Sequence, residues 1–283
     1  MATDTVIEMQ RLVDAANSLE PLPASVTRLA TLVASDDYDA RDVVEVISFD
    51  PALTASILHA ANSASSAATK PVSTVHDAVV RLGGGPVLSI ATGGAVRSRL
   101  KQVQDPTRAG MDAWRHAVTA ALSSELVREL SPMYVPASAM TAALLHDVGK
   151  LVLAKALTPH MVQMIEQVAR AERLSPLQAE MAVLETHHGE LGAIAAEAWE
   201  LPEPILEAIR FHHEPWAASS PLATVVHLAD EIAHAAASGD PYGLPSPTIV
   251  RALQVMEILP GDYGTLVGGA IERYEQLADR FAA

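Results

Sequence analysis

Ala142-Ala143-Leu144-Leu145-His146-Asp147-Val148-Gly149-Lys150-Leu151-Val152-Leu153-Ala154 is apolar nearly all round, and only His146, Asp147 and Lys150 interrupt it. A helix that is apolar on every side belongs in a protein interior. The stretch therefore predicts a buried helix running from Ala139 to Leu157. A carboxylate buried there without a partner is strongly unfavourable, so Asp147 needs a cation, a protonated histidine or strong donors beside it. Two readings stay open at this point. One is a His–Asp pair satisfied by neighbouring side chains, and the other is a metal site.

Helix signals continue on both sides of this segment, and alternating strand patterns are lacking. Asp50-Pro51 reads as a cap with proline in the first turn. Ser73 precedes the run Val75, Ala78, Val79, Leu82, a second capped helix that the glycines at 83–85 terminate. Ser175-Pro176 opens another, and helical patterns cover 111–130, 188–200, 203–212, 220–237, 247–258 and 263–281. The segment from Gln102 to Arg108, containing Asp105-Pro106, is the expected boundary between an N-terminal part (1–105) and a C-terminal part (106–283). The fold class expected is all-α.

Composition narrows the function classes. The chain has 283 residues, enough for one large domain or two packed subdomains. Aromatic residues make up only 4%, so Ala, Leu and Val carry the core, which suits close-packed helices. Nineteen basic residues against 34 acidic ones give a net charge of −15, which argues against a broad nucleic-acid or anionic-membrane surface. No apolar run is long enough to span a bilayer, and Met1 to Glu20 lacks the basic flank and apolar block of a signal peptide, so a cytoplasmic location is expected. With no cysteine, disulfides, thiolate metal sites and a cysteine nucleophile are all excluded.

The 11 histidines are the unusual feature. His187-His188 and His212-His213 form two doublets in helical context, Asp230 lies on the apolar helix around Val225-Val226-His227-Leu228-Ala229, and His116 lies among Trp114, Ala117, Val118 and Ala121. Imidazoles and carboxylates drawn from several helices suit iron, manganese or zinc without any thiolate. The expected metal ligands are His116, His146, Asp147, His188, His212, His213 and Asp230. His187 is the expected outsider, because neighbouring residues on a helix point about 100° apart. His59, His76, His160, His227 and His234 are expected to be structural or exposed.

Leu145-His146-Asp147-Val148-Gly149-Lys150 resembles the signature of HD-domain proteins, and the order His116, His146-Asp147, Asp230 resembles their basic ligand sequence. His188-Gly189-Glu190-Leu191-Gly192-Ala193 and Phe211-His212-His213-Glu214 look like the added histidines of the binuclear HD-GYP branch, which hydrolyses cyclic di-GMP. Glu214 is followed by Pro215-Trp216, with no Gly-Tyr-Pro signature. The HDOD branch is similar over more of the chain, roughly 19–235. Leu19-Glu20-Pro21-Leu22-Pro23, Ile47 to Leu53, Leu58 to Ser63, Val72 to Gly84, Trp199 to Pro202 and His212 to Pro215 resemble its successive elements. Where that family usually has Tyr-Gly after the Asn-Ser, Ala64-Ser65-Ser66 stands here.

The resemblance implies an N-terminal helical bundle packed on an HD-like helical core. It also implies a bacterial signalling output or scaffold module that works through a signalling protein partner or a nucleotide messenger. The first functional expectation is such a module, with a retained HD-type metal site and little or no catalysis. The second is a metal-dependent phosphohydrolase acting on a nucleotide or cyclic dinucleotide, in which Asp147 bridges two divalent metals and Lys150 meets a phosphate. A structural helical protein whose histidines satisfy one another is the third.

Overall fold

The computed structural model describes residues 9–35, 37–48, 50–63, 72–103, 108–239 and 243–282. Among the described residues all regular structure is helical, with no strand. The first half contributes α1 (Met9–Asn17), α2 (Ala24–Ala34), α3 (Ala40–Ser48), α4 (Pro51–Ser63), α5 (Val75–Leu82) and α6 (Gly84–Val103). The second contributes α7 (Arg108–Leu130), α8 (Ala139–Leu145), α9 (Gly149–Ala156), α10 (Pro159–Glu172), α11 (Pro176–Leu184) and α12 (His188–Ala198). It closes with α13 (Glu203–Phe211), α14 (Leu222–Ser238), α15 (Pro247–Val255) and α16 (Tyr263–Ala282). The expected boundary at Gln102 to Arg108 falls largely on 104–107, outside the described residues, as does the Ala64-Ser65-Ser66 segment.

The helix starts follow local chemistry. The Asp50 carboxylate accepts the Leu53 N–H at 3.0 Å at the head of α4. Ser175 and Gln178 form a reciprocal capping box at the head of α11. At α5 the cap is Thr74 rather than Ser73, because the Thr74 hydroxyl is the one that accepts the Asp77 N–H. The glycines at 83–85 do more than end that helix. Gly83 has φ +80°, and α6 starts at once at Gly84, turning the chain by 107°. No single helix among the described residues is long and apolar enough to cross a membrane.

The expected continuous helix from Ala139 to Leu157 is broken. α8 stops at Leu145 and α9 starts at Gly149, so His146, Asp147 and Val148 form a turn. Short i→i−3 hydrogen bonds tighten it, from Val148 N to the Leu145 oxygen (2.8 Å) and from Lys150 N to the Asp147 oxygen (2.9 Å). The cause is close packing. Gly149 lies so near α12 that a Cβ there would overlap the carbonyl oxygen of His188, while Gly192 lies against the Gly149 backbone.

One continuous apolar core runs from Leu12 to Ala270 and includes both halves. α7 lies along α14 and α16, α8 sits between α6, α7, α13 and α14, and α9 and α13 flank α12. α1 docks on α9 and α12, so the start of the described chain packs on the second half. The Thr27 hydroxyl donates to the Trp199 carbonyl and the Lys155 ammonium to the Ser18 carbonyl, which ties the halves together at their edges.

Candidate metal centre

Five places in the chain meet behind the α8–α9 break. His116 comes from α7, His146 and Asp147 from the break itself, and His188 from the first position of α12. His212 and His213 follow the end of α13, and Asp230 comes from α14. His146, His188, His212 and Asp230 are buried, while His116, Asp147 and His213 are half-buried. The seven side chains form one cluster. His116 Nε2 lies 3.0 Å from Asp230 Oδ1 and 3.2 Å from His146 Nε2. His146 Nε2 is 3.4 Å from both Asp147 Oδ2 and Asp230 Oδ1. His188 Nε2 is 3.4 Å from Asp147 Oδ1 and 2.9 Å from His213 Nε2.

Asp147 thus faces two ways. Its Oδ2 looks toward His116 and His146, and its Oδ1 toward His188. Ligand atoms of His116, His146 and Asp147 lie within 4.8 Å of one another, as do those of His188, His212 and His213, and the same holds for His146, His212 and Asp230. Each of these groups could hold a metal ion.

The outer nitrogens explain why the inner ones point inward. His146 Nδ1 donates to the Ala143 carbonyl at 2.7 Å, and His212 Nδ1 to the Ile209 carbonyl at 2.7 Å. His188 Nδ1 donates to Glu180 Oε2 at 2.8 Å, and the same oxygen accepts the His188 backbone N–H. A carbonyl oxygen can only accept, so Nδ1 carries the hydrogen and a neutral ring presents a bare lone pair at Nε2. Such outer acceptors are the usual means of fixing a metal-binding imidazole. His212 Nε2 is buried and has no hydrogen-bond partner among the described residues, which is the condition a cation would relieve.

Burial disfavours charge on His146, but the Asp147 and Asp230 carboxylates overcome it and raise the imidazole to about 10. Burial likewise opposes charge on Asp147 and Asp230, yet His146 holds both well below the usual carboxylate range. Burial drives His212 well below the usual imidazole value, helped by the charge on His146, and brings His213 to about 4. The ionised carboxylates and the neutral rings of His212 and His213 have the protonation states that a divalent metal requires of its ligands, and His146 would give up its Nε2 proton to one.

His187 stays out of the cluster, because its Nδ1 accepts the Gly189 N–H and caps α12. Lys150 is engaged with Asp147 Oδ2 at 2.6 Å, with 48% of its side chain exposed. Two contributors escaped the sequence reading. Glu180, on α11, orients His188. His234, expected to be structural or exposed, is indeed exposed but lies at the cluster, with Nε2 3.3 Å from Asp230 Oδ1. Its one-turn spacing from Asp230 was the available signal. His227 is structural, as its Nδ1 donates to the His212 carbonyl at 2.8 Å.

Comparison with known proteins places the fold. A putative signal transduction protein from Marinobacter aquaeolei has a solved structure that superposes with a TM-score of 0.74 at 25% identity, covering 98% of this chain and 63% of that one. A "Putative phosphohydrolase" from Shewanella amazonensis gives 0.70 at 25% identity, covering 94% and 98%. An HDOD domain protein of unknown function from Geobacter sulfurreducens gives 0.69 at 23% identity, covering 98% of each chain. An uncharacterised Treponema pallidum protein is 27% identical over 214 residues, and the match spans 75% of this chain but only 40% of that protein's length. The model of the HDOD domain matches residues 19–215, more than half of the chain, and the chain belongs to the HDOD domain family.

Proposed function

We propose that the protein is a signalling output module of the HDOD type, built around a retained binuclear divalent-metal centre that turns over little or no substrate. The observation that carries the metal reading is the fixed tautomer of three imidazoles. His146, His188 and His212 each spend Nδ1–H on an outer acceptor, which leaves Nε2 of His146 facing Asp147 and Asp230, Nε2 of His188 facing Asp147, and Nε2 of His212 buried without a partner among the described residues. His116, His146 and Asp147 fit one metal position, with Asp230 beside His116 and His146, and His188, His212 and His213 fit a second, with Asp147 Oδ1 facing His188. Iron, manganese or zinc suits this donor set. The module reading is supported by the relatives' lengths, since this chain matches only 40% of the Treponema pallidum protein and 63% of the Marinobacter aquaeolei one. Output would pass to a signalling protein partner or a nucleotide messenger.

A metal-dependent phosphohydrolase is the second reading, favoured by the complete donor set and by the likeness to the Shewanella amazonensis protein. Bound metals would supply Lewis-acid polarisation of a phosphoryl group and an activated water. The residues that would position a substrate are sparse. Lys150 is already paired with Asp147, and Pro215-Trp216 stands where the Gly-Tyr-Pro signature of cyclic di-GMP hydrolases would follow. A metal water without a held substrate gains little from proximity. A phosphodiesterase screen that includes cyclic di-GMP, with iron, manganese and zinc added in turn, separates the readings. Metal bound with negligible turnover is expected. Robust metal-dependent hydrolysis, abolished in Asp147→Ala, would favour the enzyme.

A further inference from the structure

We infer that His234 is a labile ligand closing the solvent side of the metal centre, where it competes with small oxyanions such as phosphate; this rests on the metal-centre reading above. Asp230 and His234 sit one turn apart on the same face of α14. His234 Nε2 lies 3.3 Å from Asp230 Oδ1, and its ring centroid is 4.5 Å from that of His116. Ligand atoms of His116, Asp230 and His234 all lie within 4.8 Å of one another, so one ion can meet all three.

What sets His234 apart is its exposure, 60% of the side chain against 13% for His116. His146, His188 and His212 are buried, and each is anchored through Nδ1 by a carbonyl or by Glu180. The His234 side chain is 60% exposed, and no such outer acceptor holds its Nδ1 among the described residues. An imidazole fixed only at its inner nitrogen can swing into solvent and regain rotamer freedom when it lets go.

The space beside it suits a replacement. A cleft of about 350 Å³ opens between α7, α14 and α16, lined by Asp112, Arg115, His116, Thr119, Ala233 and Tyr274, and it reaches the centre at His116. Arg115 lies over the Tyr274 ring, 5.0 Å from its centroid, and is the cation among the described residues lining that cleft, while Asp112 contributes a carboxylate to the same lining. An oxyanion entering there meets Arg115 and reaches the centre at His116, whose ring lies 4.5 Å from that of His234. Guanidinium and metal together suit phosphate oxygens.

The test uses the full chain loaded with manganese and inorganic phosphate as the probe. Metal per chain is measured after dialysis, and phosphate affinity by calorimetry, in wild type, His234→Ala and His146→Ala. His234→Ala is expected to keep the wild-type metal content and to bind phosphate about tenfold more tightly, as when a competitor occupying a site nine-tenths of the time is removed. His146→Ala is expected to lose metal. Unchanged phosphate affinity in a metal-loaded His234→Ala protein would overturn the inference. Loss of metal in His234→Ala without a gain in phosphate affinity would also overturn it, by making His234 a fixed ligand. A wild-type protein that takes up no manganese, iron or zinc would instead remove the metal-centre reading, and this inference with it.

Discussion

His146 concentrates the electrostatics of the centre in one imidazole between two carboxylates. In the chelator-treated protein its shift has a direct consequence for stability. Above pH 6.5 the imidazoles of the unfolded chain are neutral, while folded His146 keeps its proton up to about 10, so stability falls as pH rises across that interval. Below 6.5 the unfolded chain protonates His212 and His213, which burial keeps neutral in the fold, His213 down to about 4. Stability therefore falls as pH drops as well. Thermal melts in chelator are expected to peak near pH 6.5, and a midpoint climbing steadily into alkaline pH would contradict the assignment. The clustered residues were legible in the sequence because they are polar side chains on, or at the ends of, largely apolar helices. Glu180 was not legible, since no spacing relates a lone glutamate on α11 to the histidine it orients. His234, expected to be structural or exposed, is exposed, and its place at the cluster was signalled only by its standing one turn beyond Asp230.

At the scale of elements, the sequence reading found the starts of α4 and α11 through their caps, placed the cap of α5 one residue early, and missed how glycines are used. Periodicity placed a continuous helix across His146 and Asp147, because apolar residues on all sides carry no mark of a break. The break comes from a tertiary contact, the approach of Gly149 to the His188 carbonyl, that no local pattern encodes. The same contact brings Asp147 Oδ1 to His188 Nε2. Gly149→Ala is therefore expected to destabilise the fold by about 1–3 kcal/mol, the range for overpacking, and to lower metal content. Gly268, inside α16, has open space around it, so Gly268→Ala is expected to stabilise by about 0.4–1 kcal/mol. Denaturant titrations of the two variants check the opposite signs. A Gly149→Ala protein as stable as Gly268→Ala would show that the close crossing of α9 and α12 does not matter.

For the whole molecule, the all-helical class followed from capping and the lack of strand alternation, and the structure is helical throughout its described residues. Less legible was the docking of α1 on α9 and α12, because a short amphipathic helix shows that it has an apolar face and not which partner covers it. The shared core from Leu12 to Ala270 holds the donors of the centre in place from both sides. The centre, in turn, leaves ionised Asp147 and Asp230 buried together, an arrangement that a divalent cation balances far better than a single proton. The most direct measurement is elemental analysis of the purified full chain, paired with melting before and after chelation, in wild type and Asp147→Ala. About two metals per chain are expected in wild type, in keeping with a binuclear site, with a clear drop in melting temperature when they are removed. Asp147→Ala is expected to lose metal and about 3–5 kcal/mol of stability, as when one partner of a buried charged set is deleted. A wild-type protein that binds no metal and melts unchanged in chelator, with Asp147→Ala melting alike, would contradict the metal centre outright.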